Sequence, residues 1–158
     1  MLSGCKVPSQ NEGEIDVFFH ENLRFYTQEE QQQMFLNNVD LFDELRIAFS
    51  QSEYTSETIF VQQNRETAEY DWHISSQGDI DKRVLNADIV AVIDSFCEMF
   101  HCRSIIWGGN ELEISFWENG GNGDIIYLEN GPDAESADFY TRLSGHWYYG
   151  EFPYDIVY

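Results

Sequence analysis

Between Ser104 and Gly131 the chain runs SIIWGG, NELEISFW, ENGGNG and DIIYLENG, three short apolar stretches divided by glycine and asparagine. In the middle stretch Leu112, Ile114 and Phe116 alternate with Glu111, Glu113 and Ser115, the period of two expected of a strand with one buried and one wet face. Gly108-Gly109-Asn110 and the run from Asn119 to Gly123 supply residues that tolerate positive φ. The stretches are therefore predicted to be consecutive antiparallel strands, a β-meander with an acidic outer face.

Upstream the period changes. Thr27 and Glu30 have the spacing of a capping box, and Phe35, Val39, Phe42, Leu45 and Phe49 follow at helical intervals, which predicts a helix over 28–50. Residues 57–62 and 67–75 read as two strands with Asn64-Arg65 near the turn. In the second, Ala68, Tyr70, Trp72 and Ile74 alternate with Glu69, Asp71 and His73, again giving an acidic outer face. Past Gly78-Asp79 a second helix is predicted over 81–101, with Leu85, Ile89, Val92, Phe96 and Phe100 as its stripe. His101 and Arg103 stand at its end, where the helix dipole favours positive charge.

The flanks are less patterned. Residues 1–13 read as a loose arm, and Ile15 to His20 as a first short strand. Residues 134–144 fit a short helix with Phe139, Tyr140 and Leu143 inward, and 145–158 an extended tail dense in aromatic rings. The order is β, α, ββ, α, βββ. It predicts a single α+β domain over 1–158, two helices packed on a largely antiparallel sheet that ends in the meander.

Composition sharpens the functional side. With 29 acidic residues against 8 basic ones the net charge is -21, which disfavours direct contact with nucleic acid or an anionic membrane and favours a basic partner. No run reaches the roughly 18 consecutive apolar residues that span a bilayer, and the start has no basic and apolar signal region, so a cytoplasmic protein is expected. Leu2-Ser3-Gly4-Cys5 matches the short box at which bacterial lipoproteins are lipidated, and a true match would place the chain in the bacterial envelope. Cys97 and Cys102 fall in the helical pattern five apart, awkward for a disulfide within one helix, and the odd total of three cysteines argues for a reducing compartment.

Motif chemistry is sparse. Glu118 to Glu129 has the length of an EF-hand loop, with Gly123, Ile125 and Glu129 in place, but Gly120 stands where a carboxylate is needed and strands flank it. Cys97 and His101 share a helix face as half a zinc site would, without a second pair. No nucleophile elbow, phosphate loop or HExxH helix occurs, so no metal, cofactor or catalytic residue is assigned. A pocket using His73 or His146 as acid/base is the enzymatic alternative.

A small, strongly acidic α+β protein with acidic strand faces (Glu111, Glu113, Glu118, Asp124, Glu129) and an HWYYGEF segment from His146 to Phe152 resembles the immunity proteins of bacterial toxin systems. That resemblance implies a non-enzymatic inhibitor that occludes the substrate site of a basic, nuclease-type toxin. The expected partner-binding residues are Glu111, Glu113, Trp117, Glu118, Asp124, Tyr127, Glu129, Trp147, Tyr149 and Glu151, the rings as anchors and the acids for steering. The other binding alternative is a phage or mobile-element DNA mimic that occupies a nucleic-acid-binding defence protein.

Overall fold

The computed structural model describes residues 4–6, 18–52, 57–118 and 123–151. Two short strands, β1 (Gly4–Lys6) and β2 (Phe18–His20), pair antiparallel, and β3 (Phe25–Tyr26) leads into the helices. Expectations for the remaining parts of the arm, for Ile15 to Val17, for the turn at 119–122 and for the tail beyond Glu151 lie outside the described residues.

The predicted capping box forms. The Thr27 Oγ1 accepts from the Glu30 N–H (3.2 Å) and a Glu30 carboxylate oxygen accepts from the Thr27 N–H (2.7 Å), starting α1 (Gln28–Asn37). The single helix expected over 28–50 is two. Asn38 adopts φ -137 and ψ 29, its side-chain amide donates to the Met34 carbonyl at 2.7 Å, and α2 (Val39–Ser50) starts afresh. An asparagine side chain that satisfies a terminal carbonyl gives the backbone an alternative to the next helical turn. The predicted stripe nonetheless reaches the core: Phe35, Phe42, Leu45 and Phe49 are fully buried.

The antiparallel pair β4 (Thr58–Gln63) and β5 (Tyr70–Ile74), with two-residue β6 (Gly78–Asp79), matches the two predicted strands closely. The next helix begins later than expected because Asp81 caps a 3-10 turn over Lys82–Val84 first; α3 (Ala87–Phe100) then starts at Asn86, whose side chain accepts from the Asp88 and Ile89 N–H groups. The meander follows as β7 (Ser104–Gly108), β8 (Glu111–Ser115) and β10 (Gly123–Leu128), with β9 (Trp117–Glu118) leaving the sheet to pair in parallel with β3. In place of a short helix at 134–144 there is a 3-10 turn (Ala137–Phe139) and strand β11 (Tyr140–Ser144), which pairs with β12 (Trp147–Glu151).

The result is an eight-stranded antiparallel sheet in the order β11-β12-β10-β8-β7-β4-β5-β6, with the helices on one face. The α+β expectation therefore holds, with three helices among the described residues instead of two. Two cross-strand rows form the helix side: Trp147, Tyr127, Leu112, Trp107, Ile59 and Ile74, and beside them Tyr149, Ile125, Ile114, Ile105, Val61 and Trp72. All but the half-buried Tyr127 are buried, and they pack with the rings of Phe35, Phe42, Phe49, Phe96 and Phe100. No helix among the described residues is long and apolar enough to cross a membrane.

Candidate functional site: the helix-free face of the sheet

Alternation sends the other half of each strand to the face opposite the helices. One register row there crosses all eight strands: Arg142, Tyr148, Ile126, Glu113, Ile106, Phe60, His73 and Asp79. The adjoining row is polar, running Tyr140, Gly150, Asp124, Ser115, Ser104, Gln62 and Asp71. The first row thus sets Tyr148, Ile126, Ile106 and Phe60 among Arg142, Glu113, His73 and Asp79, directly beside a row of hydroxyls, an amide and carboxylates. Phe60 and Ile106 are half-buried, and the Phe60 ring meets the His73 ring edge-on at 5.6 Å.

Two concavities mark this face. The larger, about 910 Å³, runs between Phe60, Gln62, Asp71, Arg103 and Ile106 and ends against Trp117. The second, about 380 Å³, has Phe60 and Gln62 on one side and Asp71, His73 and Asp79 on the other. Nδ1 of His73 lies 3.3 Å from a carboxylate oxygen of Asp79, and both side chains are well exposed.

The centre of the face is electrostatically unusual. Glu113 stands between Ile106 and Ile126, and burial, seconded by repulsion from Asp124, pushes its carboxyl up from 4.5 to about 7 against the opposing pull of Arg103. Asp124 is raised too, chiefly by burial, although the Ser115 hydroxyl and Arg103 act the other way. Neither carboxylate has an ion-pair partner among the described residues. The arrangement therefore holds half-desolvated acidic groups whose charged form gains from any cation brought to the surface.

The expected site residues divide between the two faces. Glu111, Glu113 and Asp124 lie on the helix-free face, and Glu129 is exposed at the turn beyond β10. Glu151 is exposed opposite Gly123. Trp147 and Tyr149 do not belong to the exposed set: each is only 2 % exposed, on the helix side. Within Trp147–Glu151 the phase is opposite to the one that would expose Trp147 and Tyr149, because β12 pairs Tyr149 with Ile125 and Trp147 with Tyr127 and leaves Tyr148 facing away from the helices. Tyr127 is half-buried on the helix side beneath the Arg46 guanidinium, 4.8 Å from its ring centre.

Trp117 and Glu118 have internal duties. The Trp117 indole N–H donates to the Gln63 side-chain carbonyl at 3.0 Å, and its ring packs against Phe19 and Phe25. Glu118 Oε1 accepts from the Gln31 amide (3.0 Å) and the Gly123 N–H (2.8 Å), tying α1 to the start of β10. Of the histidines, His146 is exposed on the turn before β12. Phe60, Ile106 and Tyr148 share this face and stand outside the expected set; in the sequence, the outward direction of Phe60 follows from its place between the inward Ile59 and Val61. No protein-family model matches the chain, and neither the curated proteins nor the solved structures give a match.

Proposed function

We propose that this chain is an acidic, non-enzymatic binding protein that neutralises a basic protein partner held against the helix-free face of its sheet, as an immunity protein neutralises a nuclease-type bacterial toxin. The observation that carries the reading is the row centred on Glu113: Tyr148, Ile106 and Phe60 offer surface to bury beside Glu113 and Asp124, neither of which has an ion-pair partner among the described residues, in a chain of net charge -21. Aliphatic and aromatic groups supply the area that excludes water, and the acids steer encounter and reject acidic competitors. Blocking follows by occlusion, because a basic substrate-binding surface laid on this face is closed to its own anionic substrate.

The test has two stages. The tagged chain is used to capture partners from its native host at low and moderate salt, and the purified candidate is then titrated against wild-type protein and assayed for its own activity. The expected result is one basic protein, inhibited on binding, whose association slows as salt rises. If no protein binds at either salt, or if the bound protein keeps its full activity, the reading fails.

A further inference from the structure

Cys97 lies in the last turn of α3, and the helix stops at Phe100 before reaching Cys102. His101 turns the chain with φ 50 and ψ 45, in the left-handed region, and Cys102 is carried back over the helix end. The two sulfurs come to 3.7 Å, both thiols are free, and both side chains are buried at 3 % and 0 % exposure. The expectation that a spacing of five keeps them apart assumed one continuous helix. The left-handed residue removes that condition.

Their position is fixed from both sides. The Tyr26 hydroxyl donates to the Phe100 carbonyl at 2.6 Å, and the Tyr70 hydroxyl to the Cys102 carbonyl at 2.7 Å. Beyond Cys102, the Arg103 carbonyl accepts from the Gln63 N–H (2.8 Å), and its N–H donates to the Ser115 carbonyl (2.7 Å). We propose that Cys97 and Cys102 form an intramolecular thiol–disulfide site, held ready by the fold and oxidised by a small-molecule disulfide of the glutathione type.

The exchange balances in two steps. One cysteine thiolate attacks a sulfur of the oxidant; a protein–oxidant S–S bond forms, the oxidant's own S–S bond breaks, and one small thiol leaves with a proton. The second cysteine, after losing its proton, attacks the protein sulfur of that mixed disulfide and expels the second small thiol. Two S–H bonds become one S–S bond, and two electrons and two protons pass to the oxidant. The sulfurs need only close from 3.7 Å to a bonded separation of about 2.0 Å. Both thiols are buried, and contact with the Cys102 sulfur, with burial second, raises the Cys97 thiol well above its ordinary range, so thiolate is scarce and the exchange is slow.

The experiment uses the full chain carrying Cys5→Ser, which leaves two thiols of the three. Folded protein and urea-unfolded protein are equilibrated with mixtures of reduced and oxidised glutathione, quenched with acid, alkylated after denaturation and weighed. The expected outcome is an unalkylated Cys97–Cys102 disulfide, reversed by dithiothreitol, at an effective concentration at least about tenfold higher in the folded chain than in the unfolded one. An equal or lower value in the folded chain overturns the proposal, as does persistence of glutathione adducts on either cysteine. Peptide mapping of the unsubstituted chain gives an independent answer: a 97–102 link supports the site, and a link from either cysteine to Cys5 refutes it.

Discussion

The indole N–H of Trp147 on β12 donates to a carboxylate oxygen of Asp43 on α2 at 2.9 Å, joining residues 104 positions apart. The ring also meets Phe35, Phe42 and Tyr127 at 5.3–5.8 Å between centres, so it closes the helix layer onto the sheet. Trp147→Ala is expected to cost about 3–5 kcal/mol through the cavity it leaves, and Trp147→Phe less, through the lost hydrogen bond and the smaller ring. Urea unfolding midpoints check this. Partner affinity measured where both variants remain folded is expected to stay near wild type.

Gly123 and Tyr149 form a second interlocked pair. A Cβ on Gly123 would overlap the hydroxyl end of the Tyr149 side chain, which lies over the bare backbone of β10. Gly123→Ala is therefore expected to destabilise by about 1–3 kcal/mol, as other overpacked positions do. The cost should shrink in a Tyr149→Leu background, so a double-mutant cycle is expected to give a coupling of at least about 0.5 kcal/mol.

Two tyrosine hydroxyls hold the end of α3, Tyr26 on the Phe100 carbonyl and Tyr70 on the Cys102 carbonyl. Tyr26→Phe and Tyr70→Phe each remove a donor from a carbonyl at a buried helix end, with an expected loss of about 1–3 kcal/mol. Hydrogen exchange at residues 98–102 is expected to speed up more than at the meander strands.

Glu113 makes stability depend on pH in a direction opposite to that of a salt-bridged acid. Its folded carboxyl keeps a proton up to about 7, whereas the unfolded one releases it near 4.5. The contribution is fully present below 4.5 and is lost as pH rises through 7. Glu113→Gln is expected to raise stability by about 1–3 kcal/mol near pH 8 and to leave it nearly unchanged near pH 4, as thermal unfolding at the two pH values will show.

Much of this architecture was readable from local pattern. Alternation at Leu112, Ile114 and Phe116 and the Thr27–Glu30 box are local signals, and both survive in three dimensions. Asn38 was harder, because a helix with its apolar stripe intact can still break where one side-chain amide takes over a carbonyl. The phase of β12 depends on which strand it pairs with: only the Ile125–Tyr149 register decides that Trp147 goes inward and Tyr148 outward. The proposed binding face is likewise a product of pairing. Ile106 and Glu113 meet across consecutive strands, but Phe60 joins them only because β4 pairs with β7, a strand distant in sequence, whereas the acidity of Glu111, Glu113 and Asp124 is visible at once.

The most direct test of the central claim is the affinity of the captured basic partner for variants on opposite faces of the molecule. Phe60→Ala and Asp71→Asn alter the helix-free face, and Ile47→Ala alters an exposed apolar position on α2. Calorimetric titration is expected to show about tenfold or greater weakening for the two sheet variants, with Ile47→Ala at wild-type affinity. Unchanged affinity in both sheet variants, or weakening confined to Ile47→Ala, would contradict the account and move the binding surface to the helices.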